Sequence, residues 1–388
     1  MINKKKILLI SPFFYPEPIS TGKFNTNFAL GLAEKGHEVT VLCFHSFYPD
    51  WKVNTSNKPL NNLKIIRGGK NLKYPKKQFL RRIILELSFA FFILRKIKKH
   101  QKEKDIILPV FPPSFAFYSL LFFVNKKIRK VGMVHDLQEI YSINKKGIVN
   151  KIVRFFIHKI EKQCYSKCDK LIFLSNEMKN EAKELYNLEE QKLEVQYPFI
   201  NLTNKISNSL GNIFNDKNIN IVYSGALGEK QNPFELYRFF DFASQKIDKT
   251  QFYFFSQGSI FEELKEKNTN KKIQFHSLVK KEQIEELYNR SNVQLIPQAK
   301  NTSKGSLPSK LPNLLVSGCK ILVITDKNSE LEQLFKKNNL HLIVTSWSQE
   351  KLLDSLKLLL EIKNNTSNQQ QIAKKLFTIE EMIRKVLL

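Results

Sequence analysis

Four short stretches hold residues whose types and spacing suit chemistry on a diphosphate. Ser20-Thr21-Gly22-Lys23 follows an apolar run. A glycine there lets main chain approach a ligand closely, and the helix behind it favours phosphate. A plain turn before a helix has the same composition. Val134-His135-Asp136 ends another apolar run. His135 can donate or accept a proton near neutral pH, with Asp136 fixing its tautomer. A strand-end histidine satisfied by main chain is the alternative. Tyr223-Ser224-Gly225-Ala226-Leu227-Gly228-Glu229-Lys230-Gln231 carries two glycines and a lysine. Such a loop suits a diphosphate, with Lys230 as the point charge, although a solvated loop lysine fits the same letters. The fourth stretch runs from Gly305 through Leu307-Pro308-Ser309-Lys310-Leu311-Pro312-Asn313 into Leu314–Gly318. It predicts a loop entering a short apolar helix closed by glycine. Ser309 and its neighbours would supply amides at the helix N-terminus, and Lys310 would add charge beside the same anion.

Absent patterns narrow the chemistry. There is no Asp-x-Asp pair to hold a divalent metal, and no Gly-x-Gly-x-x-Gly of a nicotinamide dehydrogenase. Cys164 and Cys168 have helical spacing, but no second pair completes a zinc site. The four cysteines form no disulfide framework, so a reducing, cytoplasmic compartment is expected. Lys4-Lys5-Lys6 precedes only four apolar residues, Ile7–Ile10, too few for a secretory signal. The net charge of +27 attracts polyanions. Among these, nucleic acid is disfavoured, because neither zinc-finger spacing nor an RNP-like run is present.

The elements that must position these stretches alternate. Ile7–Ile10 and Val39–Leu42 are predicted strands around a helix with Phe24, Phe28, Leu32 and Ala33 on one face, stopped by Gly36. Strand and helix patterns alternate onward to Leu193–Gln196. An Asn- and Ser-rich stretch, 198–218, reads as a linker. A second alternation starts at Ile219–Tyr223, and a last helix runs from about Gln369 to the C-terminus. The expected domains are 1–200, 201–368 and a terminal helix 369–388 that packs back on the first. Both halves are α/β, each a Rossmann-like doubly wound parallel sheet. Ligands of such folds bind beyond the carboxyl ends of the strands, so a cleft between the two sheets is the expected site.

With these stretches in hand, the chain resembles glycosyltransferase family 4, and within it the colanic-acid or exopolysaccharide type. The carriers are Tyr15-Pro16-Glu17 with Thr21–Asn25, Leu32–Leu42, Val134–Leu137, Tyr223–Gln231, and Leu307–Leu311 through Gly318. The resemblance implies a GT-B fold and retaining transfer from a nucleoside-diphosphate sugar, with no metal or other cofactor. It implies that Gly22 and Gly225 lie near the diphosphate, His135 by the donor sugar, and Lys230 on the departing diphosphate. Lys310 and Ser309 would join the donor site. Two departures stand out. The family's arginine after the glycine is Ala226 here, and its two glutamates, eight positions apart, fall on Gly305 and Asn313. Asn313 would still reach the ribose.

Lys76–Lys99 is cationic at both ends and apolar between. It fits either an interfacial helix on the inner face of an anionic membrane or a core helix with a basic outer face. In the first case the acceptor is a polyprenyl-diphosphate-linked sugar, with the loop of Tyr48 and Trp51 on the acceptor side. Otherwise a plain saccharide acceptor of lipopolysaccharide, capsule or exopolysaccharide synthesis fits. Two competitors remain: a nucleotide-sugar epimerase on the same fold, and a degenerate nucleotide- or membrane-binding subunit of an assembly complex.

Overall fold

The computed structural model describes residues 4–17, 19–48, 50–56, 59–139, 148–202, 208–215, 217–303, 307–340, 342–363 and 366–388. They divide into two compact units, Met1–Tyr197 with Ile379–Leu388, and Pro198–Thr378.

Unit one is built on seven parallel strands: β1 (Lys6–Ile10), β2 (Glu38–Phe44), β3 (Leu63–Gly68), β4 (Ile106–Phe111), β5 (Arg129–Val134), β6 (Lys170–Phe173) and β7 (Leu193–Val195). Their order is β3-β2-β1-β4-β5-β6-β7. β1 lies between β2 and β4, with Leu9 level with Val41 on one side and Leu108 on the other. The helices are α1 (Ser20–Glu34), α2 (Gln78–His100), α3 (Ser114–Leu120), α4 (Ile148–Ser166) and α5 (Asn176–Tyr186). β1 and β4 are near-continuous apolar runs because helices cover both faces of the sheet. Order reverses between β1 and β4, so the loops leaving those strands diverge there.

Unit two has six parallel strands: β8 (Ile219–Ser224), β9 (Thr250–Ser256), β10 (Ile273–Ser277), β11 (Val293–Pro297), β12 (Lys320–Ile324) and β13 (Ile343–Val344). Their order, β10-β9-β8-β11-β12-β13, reverses between β8 and β11. Its helices are α6 (Pro233–Ser244), α7 (Ser259–Lys267), α8 (Ile284–Asn289), α9 (Leu311–Ser317), α10 (Glu330–Lys337), α11 (Gln349–Glu361) and α12 (Thr366–Leu376).

Two expectations are corrected. The terminal helix is broken at Phe377–Thr378. α12 stays in unit two, and a separate α13 (Ile379–Leu387) belongs to unit one. Its last carbonyls are taken by cations, Leu387 O by Arg129 at 3.0 Å and Lys385 O by Lys170 at 3.2 Å. The stretch read as a linker is also partly core. Leu210 and Phe214 are buried, and Phe214 packs on Tyr253 at 4.8 Å. Glu286 accepts the amides of Ser209 and Leu210, each at 2.9 Å. Residues 203–207 and 216 lie outside the described residues.

Candidate functional site

The reversal in the second sheet gathers the residues of two sequence stretches. β8 ends at Ser224, and the chain turns through Gly225 at a φ of +133°, a conformation that a side chain would strain. The Gly225 N–H donates to Phe255 O at 3.0 Å. Lys230 follows in the 3-10 turn Glu229–Gln231, with the side chain exposed. Its carbonyl accepts Ala299 N–H at 2.8 Å, which joins the loop after β8 to the loop after β11.

Lys310 sits just before α9, and its ammonium turns inward. It donates to Ser224 O at 3.0 Å and Leu295 O at 2.6 Å, and lies 4.5 Å from the centroid of the Tyr223 ring. It therefore clamps the ends of β8 and β11 across the reversal. Burial lowers its pKa to about 7. Ser309 is exposed beside it. The expectation that Lys310 presents its charge to a ligand at the mouth of α9 does not match this geometry. Two main-chain carbonyls are the stronger local attraction for a cation. Asn313 is in the first turn of α9, where its Oδ1 accepts Asn201 N–H at 2.8 Å. Gly305 lies outside the described residues.

In unit one, Gly22 is not in a loop. α1 begins at Ser20, with Lys23 N–H already donating to Ile19 O at 3.0 Å. A Cβ on Gly22 would lie 2.8 Å from Glu17 Cβ and 3.1 Å from Glu17 O. The close main-chain approach that this glycine permits is therefore the protein's own. Phe24, from the same helix, meets the ring of His135 edge-on at 4.6 Å. His135 follows β5, its N–H bonded to Phe111 O at 2.9 Å. Its Nε2 is buried without a partner among the described residues, and burial lowers its pKa to about 3. The ring is thus neutral at physiological pH. Asp136 Oδ1 accepts Leu137 N–H at 3.1 Å.

Two buried glutamates escaped the sequence reading as site-builders. Glu17 accepts Phe47 N–H at 3.0 Å and Tyr48 N–H at 2.6 Å, fixing the aromatic loop after β2, and burial raises its pKa. In that loop Tyr48 is exposed, whereas Trp51 packs on Phe47 and Tyr74 and under the Arg81 guanidinium, at 4.6 Å. Trp51 is thus an anchor of the loop. Glu161, on α4, is fully buried. It accepts Gln138 N–H and Glu139 N–H at 3.2 Å each, and the hydroxyls of Ser114, Tyr165 and Tyr186. It pins the segment that follows His135. An acid inside an amphipathic helix looks like solvated surface in a sequence, so the only available signal was its proximity to Tyr165 one turn on.

α2 has both faces that the sequence left open. Leu85, Phe89, Ile93 and Ile97 are core, while Leu80, Ile83, Leu87 and Phe91 are exposed. Just after α3, Phe122 and Phe123 are also exposed, at 76% and 47%. Among the described residues no helix is long and apolar enough to cross a membrane, and no cluster of three or more His, Cys, Asp or Glu could hold a metal.

Two doubly wound parallel sheets in tandem, with loops gathered where each order reverses, define the GT-B fold. Solved structures agree over nearly the whole chain. Sucrose-phosphate synthase of Thermosynechococcus elongatus aligns with a TM-score of 0.75 at 13% identity, covering 99% of each chain. Anabaena Alr3699/HepE, in complex with UDP and glucose, aligns with a TM-score of 0.66 at 12% identity, covering 99% of this chain and 98% of that one. In sequence, a protein of Escherichia coli K12 described as a colanic acid biosynthesis glycosyl transferase, WcaI, is 24% identical over 416 residues, covering 98% of both. Residues 21–204 match the profile of Glycosyltransferase Family 4.

Proposed function

We propose that this glycosyltransferase moves a sugar from a nucleoside-diphosphate sugar to a saccharide or polyprenyl-diphosphate-linked acceptor in surface polysaccharide assembly, with retention of configuration and without a metal. One observation carries the reading: Gly225 and Lys230 stand on the loop that leaves the second sheet where its strand order reverses, the position at which doubly wound sheets bind ligands. Lys230 is the exposed cation there. Negative charge grows on the departing diphosphate, and a fixed cation beside it lowers the barrier. Lys310 serves as a positioning residue, holding the two strand ends that carry the loops. His135, kept neutral by burial, offers a hydrogen bond to a sugar hydroxyl rather than a charge. The relatives support the donor class and pathway: one is held with UDP and glucose, and another is described for colanic acid biosynthesis.

The membrane belongs to the same reading. The exposed apolar side of α2 is bordered by Arg82, Arg95, Lys96, Lys98 and Lys99, a pattern suited to peripheral contact with an anionic inner leaflet. A second reading, nucleotide binding without turnover, has one observation in its favour: the Lys310 ammonium and Asn313 Oδ1 are both spent inside the protein, and Ala226 brings no cation. Incubation with UDP-, GDP- and ADP-sugars separates the two. Release of nucleotide that persists in EDTA supports transfer chemistry. Binding without release, even with lipid-linked acceptors present, supports the second reading.

A further inference from the structure

Unit one holds an open pocket of about 460 Å³ between the end of the edge strand β3 and α2. Its lining divides by chemistry. Arg67, Lys70, Arg95 and Lys96 contribute four cations, and no lining residue is acidic. None of the four is in an ion pair with a carboxylate among the described residues. Arg67 is fixed in place, donating to Tyr15 O at 2.6 Å and Phe44 O at 3.1 Å. The rest is mostly apolar: Phe44, Phe92, Leu72 and the exposed ring of Phe91, under the Arg95 guanidinium at 5.3 Å. Main chain also lines it at Gly68, where any Cβ would strike the Phe92 ring.

From Phe91 the apolar lining continues along α2. Leu87, Ile83 and Leu80 are exposed and follow at helical spacing towards the N-terminus of the helix. That stripe spans about 16 Å at the helical rise. A cationic pocket that opens onto an apolar stripe matches a ligand with a phosphate at one end of a hydrocarbon chain.

We propose that this pocket binds the phosphate of a lipid, whose chain lies along Phe91, Leu87, Ile83 and Leu80. The inference deepens the lipid-linked acceptor reading and rests on it by giving the lipid's charged end a place in unit one. Arginine and lysine neutralise the phosphate, and a fixed guanidinium loses little freedom in doing so. The stripe rewards a chain that neither free phosphate nor a headgroup alone can offer.

The test is calorimetric titration with farnesyl phosphate below its micelle concentration, with farnesol and inorganic phosphate as the separated halves. Farnesyl phosphate should bind at one site, about tenfold or more tighter than either half. Lys70→Glu with Lys96→Glu should weaken it about tenfold, and Leu87→Glu by a similar factor. Lys280→Glu with Lys281→Glu, an equal change of charge in unit two, should leave it within about twofold. Equal weakening by both charge-reversed pairs overturns the pocket in favour of diffuse attraction to a basic protein. Equal binding of farnesol, or no loss in Leu87→Glu, overturns the arrangement of head and chain. Because no sugar nucleotide is present, failure here leaves donor turnover to be judged by nucleotide release, and failure of turnover leaves the lipid result standing.

Discussion

Replacing Glu161 by leucine should release the segment that carries His135. The magnitude follows from the hydrogen bonds. Glu161 Oε1 accepts Gln138 N–H and two hydroxyls, and Oε2 accepts Glu139 N–H and the Tyr186 hydroxyl. Hydroxyls can turn to other partners, but the two amides are fixed by the main chain. Each buried donor left unsatisfied costs about 1–3 kcal/mol, so the loss is about 2–6 kcal/mol from the amides alone. Glu161→Gln retains one acceptor oxygen and should lose about half as much. Hydrogen exchange at the amides of residues 138 and 139 reads this directly. A loss of about 4 kcal/mol speeds exchange through local opening by roughly a thousandfold. The pH dependence has a definite sign. Burial raises the native pKa of Glu161 above its ordinary value of 4.5, so native protein holds the proton longer than unfolded chain. Its contribution to stability is therefore greatest in acid and is lost as pH rises through the native pKa. Unchanged exchange at 138 and 139 in Glu161→Leu would refute the reasoning.

Other outcomes follow from single contacts. Lys310→Met leaves the carbonyls of Ser224 and Leu295 without their donor, and chemical denaturation should show unit two weakened by about 2–5 kcal/mol. Because burial lowers the Lys310 pKa from 10.5 to about 7, wild-type stability should rise with pH across that window, and the variant should lack the rise. His135, lowered from 6.5 to about 3 by burial, should show neutral-ring nitrogen shifts by NMR at pH 5. Its contribution to stability should be lost as pH falls through 6.5 towards 3, and His135→Leu should flatten that slope. Gly22→Ala forces a methyl against Glu17, so the thermal midpoint should fall, by about 1–3 kcal/mol of stability, despite alanine's better helix propensity.

Strands were legible in the sequence because parallel strands buried on both faces are unbroken apolar runs. Helix α5 carries its own start signal, because Ser175 supplies a side-chain cap to Met178 N–H. What escaped was decided by tertiary partners. Gly22 looks like a ligand-facing turn until Glu17 is seen to occupy the space. Lys310 looks like a solvent cation until the ends of β8 and β11 supply two carbonyls. Leu210 and Phe214 are isolated apolar letters in a polar stretch, and only the face of the second sheet explains their burial. The break at Phe377–Thr378 lies inside a periodic pattern. It is set by the chain's return to unit one, with Phe377 buried and its carbonyl accepting Ile200 N–H at 2.9 Å. The candidate donor loop was legible as Gly225 and Lys230, whereas its support was not.

The central claim is that Lys230 meets the diphosphate of a sugar nucleotide. The most direct measurement is a crystal structure with UDP or a UDP-sugar bound, matched by turnover of Lys230→Ala. The account predicts a diphosphate oxygen within about 3 Å of Lys230 Nζ, with main-chain amides of the Gly225 loop alongside. It also predicts a fall in kcat of about 10²–10³ in the variant. A nucleotide bound away from that loop, or turnover undiminished in Lys230→Ala, would contradict it.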